Sequence, residues 1–558
     1  MITSLCLLLS LFGLIDTQKL VVIIAEGLSG AHFHRFSHLS GLRLFEEEGV
    51  WSTRLFPVFP TLPLPNRHTL LTGVLPRKHG MMNDFVFNWR TGQEFLNFTL
   101  DSDFKKSEWW MTDPIYVTAT EAKASVAMFF FPECNVNWMP APHLCIPPRE
   151  DGLTFADERI AKIVLEATMS HDLVLVYHPN IREQIASIGP KRSNERTATE
   201  VDQFQQALER LTAQARERID LNVIVVSPHG LVDVPRRNIR VLDDYLPMEL
   251  LQVTIGSGAV KQLIAQPGKT HQVYSQLRNH TPIPNVKIYY TAPKVGDLPE
   301  WYHYKKSSTV PDLVLVAQPG YAIVTRDFGK QIPPATPNEI KAGMSGYNNH
   351  YPDMLGVFLA YGPVFRKGYH KGPLELCDVY TLMCSLLRID DCNTSCGRIL
   401  RIDDVLTSDT RVAVRAKLHA SINRASFVDV AIAVVAVVLL SPSVRIAAIT
   451  NCRSEIRTAI KAMKNLSFVL ILAFFIPSQA GKSCEPLPDT PTARLMYYGK
   501  NSIYVLPQEP LSEGTVAKLN CNFDTVAEGE TSTTCVDGRW DNIPLGISWF
   551  ADTALDNL

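Results

Sequence analysis

Apolar residues run unbroken through "KLVVIIAEG" from Lys19, "DLVLVYH" from Asp172 and "LNVIVVSPHG" from Leu221. Runs of this kind, with no polar alternation, fit strands buried on both faces of a largely parallel sheet. Ahead of the third run, Phe204, Leu208, Leu211, Ala215 and Ile219 recur at three- and four-residue steps in a polar background. That spacing predicts one face of an amphipathic helix, and hence a crossover between parallel strands. "PDLVLVAQPGYAIVTR" (311–326) reads as a hairpin about Pro319-Gly320, and "MLGVFLAYGP" (354–363) as a further core strand. From Lys19 to about Ile402 the pattern is α/β. Open sheets of this class carry their chemistry at the carboxyl ends of the strands, which is where Glu26 and His229 fall.

Three longer apolar segments punctuate the rest. Residues 1–18 open with "MITSLCLLLSLFGLID", a run of signal-peptide length, although Lys and Arg are missing from its start. Residues 427–444, "FVDVAIAVVAVVLLSPSV", form a marginal transmembrane helix, and Arg445, Arg453, Arg457, Lys461 and Lys464 after it suit a cytoplasmic side. Residues 463–481, "MKNLSFVLILAFFIPSQAG", have the anatomy of a signal peptide at an internal position. That segment is either a second span returning the chain outside or the mark of two joined reading frames. The expected organisation is thus a signal at 1–18, an α/β ectodomain at 19–402, a membrane helix at 427–444, the second apolar segment, and a small module at 482–558.

Composition narrows the partners. The 558 residues carry a formal net charge of −2, which argues against a polyanion such as nucleic acid. A secretory route fits the sequons at Asn97, Asn279 and Asn393 and permits oxidised cysteines. Cys134 and Cys145 flank a short loop and are a candidate disulfide; Cys377, Cys384, Cys392 and Cys396 form two more, in any of three pairings. Cys6 leaves with the signal.

The stretch "GVWSTRLFPVFPTLPLPNRHTLLTGVLPRKHGMMND" (49–84) lies between "KLVVIIAEG" and, far downstream, "GYNNHYPDMLGVFLAYGPVF" (346–365). With "DPIYVTATEA", "FFFPEC" and "VYTLMCSLL" in order, it resembles the type I phosphodiesterases called ectonucleotide pyrophosphatase/phosphodiesterases, of the alkaline phosphatase superfamily. The resemblance runs from about Lys19 to Leu387. It implies an alkaline-phosphatase-like, mostly parallel sheet flanked by helices. It also implies a site with two zinc ions, a threonine nucleophile at a helix N-terminus, a supporting asparagine, and three aspartates with three histidines as ligands. Each zinc takes about four ligands, and carboxylates are needed to hold two dications side by side.

Carried over position by position, the pattern is depleted. The first aspartate is Glu26, the nucleophile slot is Pro63, and Asn66 stands for the asparagine. In "PNIREQIA" the aspartate becomes Arg182 and the histidine Ala186. The Asp-His pair is Pro228 and His229, and the last histidine is Ser345. Glu26 and Arg182 sum to zero charge where the family has three carboxylates. The resemblance therefore implies a degenerate member, with no zinc cofactor and no hydrolysis, that binds a nucleotide, a phosphoester or an extracellular protein at a membrane or in secreted form. Asn66 and Arg182 are the candidate phosphate ligands, and Arg182 is also a candidate partner for Glu26. Two other readings stay open: an active or weakly active phosphodiesterase, and an adhesive protein working through its C-terminal module. In that module "TTCVDGRWDNIPLG" resembles the end of a sushi domain. The resemblance pairs Cys484 with Cys535 and leaves Cys521 without a partner.

Overall fold

A computed structural model describes residues 18–96, 109–149, 151–192, 195–291, 298–304, 307–326, 330–332, 340–390, 392–393 and 395–417, together with short strands between 483 and 540. Residues 1–17 of the signal segment, both apolar segments at 427–444 and 463–481, and Asn97 lie outside the described residues. Among the described residues no helix is long and apolar enough to cross a membrane. The chain divides into two units, Met1–Thr407 and Ser408–Leu558.

The first unit is built on a nine-stranded sheet. In chain order its strands are β1 (Lys19–Ala25), β2 (Val50–Phe56), β3 (Val126–Phe129), β4 (Leu144–Ile146), β5 (Leu173–His178), β6 (Leu221–Ser227), β7 (Gly356–Tyr361), β8 (Tyr369–His370) and β9 (Leu374–Glu375). They lie in the order β8-β2-β7-β6-β1-β5-β3-β4, with β9 also on β2. β1 sits at the centre, parallel to β5 on one side and to β6 on the other, with Ala25 opposite His178 and Ile24 opposite Val226. β7 runs antiparallel to both its neighbours. The three apolar runs are buried along their length apart from half-exposed Lys19, as expected of strands covered on both faces.

One face is covered by the helices Glu158–Ser170 and Glu195–Glu217, whose Val164, Phe204, Leu208 and Leu211 pack with Val21, Ile23, Val174 and Val223. The long helix supplies the predicted crossover between β5 and β6. Ile219 falls past its end and is 78% exposed, so the apolar face stops at Ala215. Two further helices, α1 (Pro63–Thr72) and Leu376–Leu386, pack against each other.

The segment 311–326 departs from the expected hairpin. Leu313–Ala317 is flanked on both edges, by Val260–Ala265 and by Val286–Tyr290. With both edges taken it has no hydrogen-bonding groups left for the residues after Gly320. Ala322–Val324 pairs instead with Ile239–Val241.

Cystine pairing is settled by position. Cys134 joins Cys145, Cys377 joins Cys396, and Cys384 joins Cys392, which selects one of the three arrangements for the last four. In the second unit, Ala493–Tyr498, Tyr504–Val505, Val516–Cys521, Ser532–Val536 and Arg539–Trp540 form an antiparallel β module, and Ser483–Cys484 pairs with Leu511–Ser512. Cys535 of this module is disulfide-bonded.

Candidate functional site

Three central strands end together. β1 delivers Glu26, whose N–H donates to the His178 carbonyl at the end of β5, and β6 delivers Pro228 and His229. After β5 the chain turns into a helix, α2 (Asn180–Ile188), that carries Arg182. Gly27 makes the approach of that helix possible. Its φ is +96°, and a Cβ there would stand 2.6 Å from the Arg182 Cα. Without a side chain at Gly27 the backbones close up, and Arg182 reaches the carboxylate one residue earlier.

Glu26 is fully buried. Its Oε2 lies 3.0 Å from Arg182 Nε, and its Oε1 lies 3.7 Å from Arg67 Nη1. These are ion pairs without hydrogen-bond alignment at Glu26 or at Arg182 Nε. Arg182 keeps its side chain 18% exposed, whereas Arg67 is wholly enclosed.

Arg67 is anchored from the other side. Its Nε and Nη2 both donate to Glu133 Oε1, at 3.0 and 2.8 Å, and its Nη1 donates to the Tyr177 hydroxyl at 3.1 Å. The guanidinium also lies over the Tyr177 ring, 4.6 Å from its centre. Burial works against the Arg67 charge, but Glu133, Tyr177 and Glu26 outweigh it and hold the group firmly protonated. Glu133 sits in the turn Pro132–Asn135, next to Cys134, so the Cys134–Cys145 bridge fixes the element that supplies it.

His229 is the remaining ligand-type side chain at the strand ends. Its Nδ1 is 3.1 Å from the Gly230 carbonyl, and its fully buried Nε2 has no hydrogen-bond partner within the protein. Burial lowers its pKa and Arg182 adds to that effect, against the opposing influence of Glu26. The ring is thus held neutral.

The other expected positions carry no carboxylate or imidazole. Ala186 packs in the apolar core, Pro228 offers no polar atom, and Ser345 lies buried just before Gly346. Pro63 is the first residue of α1, at the place the resemblance assigns to a nucleophile, and it carries no hydroxyl. Thr61, two residues earlier, is fully employed. Its hydroxyl donates to the Tyr347 carbonyl at 3.1 Å and accepts from the Gly346 N–H at 2.9 Å.

Asn66 is a correction to the phosphate-binding set. Its Nδ2 donates to the carbonyls of Val58, Pro60 and Leu62, and its Oδ1 accepts from the Val58 N–H at 2.7 Å. Every polar atom of that side chain ties down the loop before α1, so none is left for a ligand.

Sequence reasoning missed Arg67, Glu133 and Asp84. Asp84 accepts the Leu64 N–H at 2.8 Å, at the start of α1. Burial raises its pKa to about 6 with help from Glu26, while the Leu64 N–H, Arg182 and Arg67 pull the other way. The pieces "PNRH", "FFFPEC" and "HGMMND" were visible, but nothing in one sequence says that they meet.

The residues do not fit a pair of zinc ions. Glu26 and His229 are the ligand-type side chains left at the six positions, and Glu26 faces two guanidinium groups. Among the described residues no group of three or more His, Cys, Asp or Glu is arranged to hold a metal.

A largely parallel sheet whose central strands converge on Glu26, Arg182 and His229 defines an α/β protein with its site at the carboxyl edge. The chain belongs to the type I phosphodiesterase / nucleotide pyrophosphatase family, whose model matches residues 20–348. It is 26% identical over 379 residues to human ectonucleotide pyrophosphatase/phosphodiesterase family member 5, covering 67% of this chain and 75% of that protein. It is 27% identical over 382 residues to bovine bis(5'-adenosyl)-triphosphatase, covering 66% and 78%. Among solved structures, human ectonucleotide pyrophosphatase/phosphodiesterase 5 superposes with a TM-score of 0.61 at 24% identity, over 70% of this chain and 100% of that one. The murine counterpart, solved as an inactive threonine-to-alanine variant in complex with AMP, gives 0.60 at 23% identity, over the same shares.

Proposed function

We propose that this chain keeps the family fold without its zinc-dependent hydrolysis, and acts by binding on the extracellular side. One observation carries the reading: Glu26, at the slot of a metal-holding aspartate, lies 3.0 Å from Arg182 and 3.7 Å from Arg67. Two fixed cations stand beside the carboxylate that a zinc ion would need. At these distances like charges repel by several kcal/mol even when partly screened, at roughly 4 kcal/mol per unit pair at an effective dielectric of 20. The murine relative loses activity with a threonine-to-alanine change, and this chain has proline at its nucleophile slot.

Three features support a secretory setting for the binder. The apolar start reads as a signal, Asn279 is exposed and Asn393 partly exposed for glycosylation, and six cysteines of the first unit are oxidised in three bridges. The partner is an extracellular protein, a nucleotide or a phosphoester, and the module after residue 482 is read as a partial sushi domain.

The deciding assay is cleavage of a chromogenic phosphodiester at alkaline pH with added zinc, alongside metal analysis of the purified protein. The expected result is no turnover above the protein-free rate and far less than one zinc per chain. Cleavage abolished by a chelator and restored by zinc would refute the proposal. The single change Pro63→Thr is expected to leave turnover at background, because a hydroxyl alone supplies neither metal nor the carboxylates to hold it.

A further inference from the structure

The start of α1 is closed to an outside anion by the protein itself. A helix N-terminus attracts anions because its first N–H groups are unpaired and aligned. In this helix Pro63 and Pro65 have no N–H to give. The Asn66 N–H goes to the Leu62 carbonyl at 3.3 Å, and the Leu64 N–H goes to Asp84 Oδ1 at 2.8 Å. Each first-turn donor is therefore absent or taken. The carboxylate that takes Leu64 is also drawn by Arg182 and Arg67, the two cations that pair with Glu26.

From this we infer that Asp84 is a resident anion, occupying the position where a phosphate group would meet the helix end and Arg182. It comes from the segment after Gly80, twenty residues along from its Leu64 partner, so the contact is tertiary rather than a local cap. A phosphate ester approaching Arg182 would meet the Asp84 charge and find no free amide. The inference rests on the reading that the site no longer turns over substrate, and it narrows the partners given there: a phosphate group is kept off this helix end, which leaves an extracellular protein or a ligand held elsewhere on the chain. It also directs the search for this protein's partner away from the old phosphate position.

The test replaces the charge while keeping the shape. Asp84→Asn retains an acceptor for the Leu64 N–H and adds a donor, so the fold is expected to stand. Titration calorimetry of the full-length chain with AMP, and separately with inorganic phosphate, is expected to show binding at least about tenfold tighter in D84N than in the unmodified protein, a tenfold change being the modest end of what removing one like charge does. Asp84→Ala should show the same gain and serves if D84N folds poorly, as judged by circular dichroism. The double variant D84N/R182A should lose the gain. Equal binding by the unmodified protein, a well-folded D84N with no gain, or a gain that survives R182A would each overturn the inference. Hydrolysis by the unmodified protein would refute the reading above, while the binding comparison decides the role of Asp84 separately.

Discussion

Glu133→Ala is expected to destabilise the first unit by about 3–5 kcal/mol, the range for removing one partner of a buried ion pair. Arg67 has no exposed surface, and two of its three described hydrogen bonds end on Glu133. Without Glu133 the guanidinium loses both of those hydrogen bonds, and water cannot reach it to compensate. The cost comes from the stranded cation rather than from the value of the pair. The double replacement Arg67→Met with Glu133→Leu, which removes both charges, should therefore lie within roughly 1–2 kcal/mol of the unmodified protein. Urea unfolding followed by tryptophan fluorescence measures all three. A single variant as stable as the parent, or a double variant no better than the single, would show that the network does not act as a unit.

The second large effect is a loss of stability in acid. His79 is fully buried, with its Nε2 at 2.9 Å from the Thr69 hydroxyl and its Nδ1 accepting the Met81 N–H. Burial lowers its pKa from 6.5 to about 3. The neighbouring His68 is lowered well below 6.5, first by burial and then by His79 and Arg67. The folded state keeps these rings neutral, whereas the unfolded chain protonates them below 6.5. Their contribution is complete above pH 6.5 and drains away as pH falls toward 3, reaching about 5 kcal/mol for His79 alone at full protonation. Asp84 works in the opposite sense. Its pKa is raised from 3.8 to about 6, so its contribution is present below 3.8 and lost as pH rises through 6. His32 and His229 are also lowered, chiefly by burial, so the histidines outnumber the aspartate and the net trend is destabilisation in acid. Unfolding temperatures measured from pH 7.5 to 4 should fall, and His79→Gln should flatten the fall. A flat profile in the parent, or an unchanged slope in the variant, would show that these rings are not held neutral.

Much of the scaffold was legible along the chain because its signals are local. Unbroken apolar runs mark strands with both faces covered, and the three- and four-residue rhythm from Phe204 to Ala215 marks the helix that covers them. The hairpin at 311–326 misled for the same reason. Its turn chemistry was sound, but strand pairing depends on which edges are free, and the edges of Leu313–Ala317 were taken by residues 23 to 56 positions earlier. At the site, the losses that the resemblance implies at Pro63, Ala186, Pro228 and Ser345 rest on single letters, since a hydroxyl, carboxylate or imidazole is a property of one residue.

What surrounds those positions was not readable in that way. The amino-acid order by itself determined the α/β architecture and, through the resemblance, the expected depletion of the ligand positions and the candidate pairing of Glu26 with Arg182. Only the tertiary structure decided that Arg67 lies on the other side of Glu26, that Glu133 anchors it, that Asn66 is spent on its own loop, and that Asp84 caps the helix. The physical reason is that charge balance in a low-dielectric interior is a property of the whole group that meets there. Here it is assembled from α1, the turn after β3 and the ends of β1 and β5, and a side chain 66 positions away contributes as much as a neighbour.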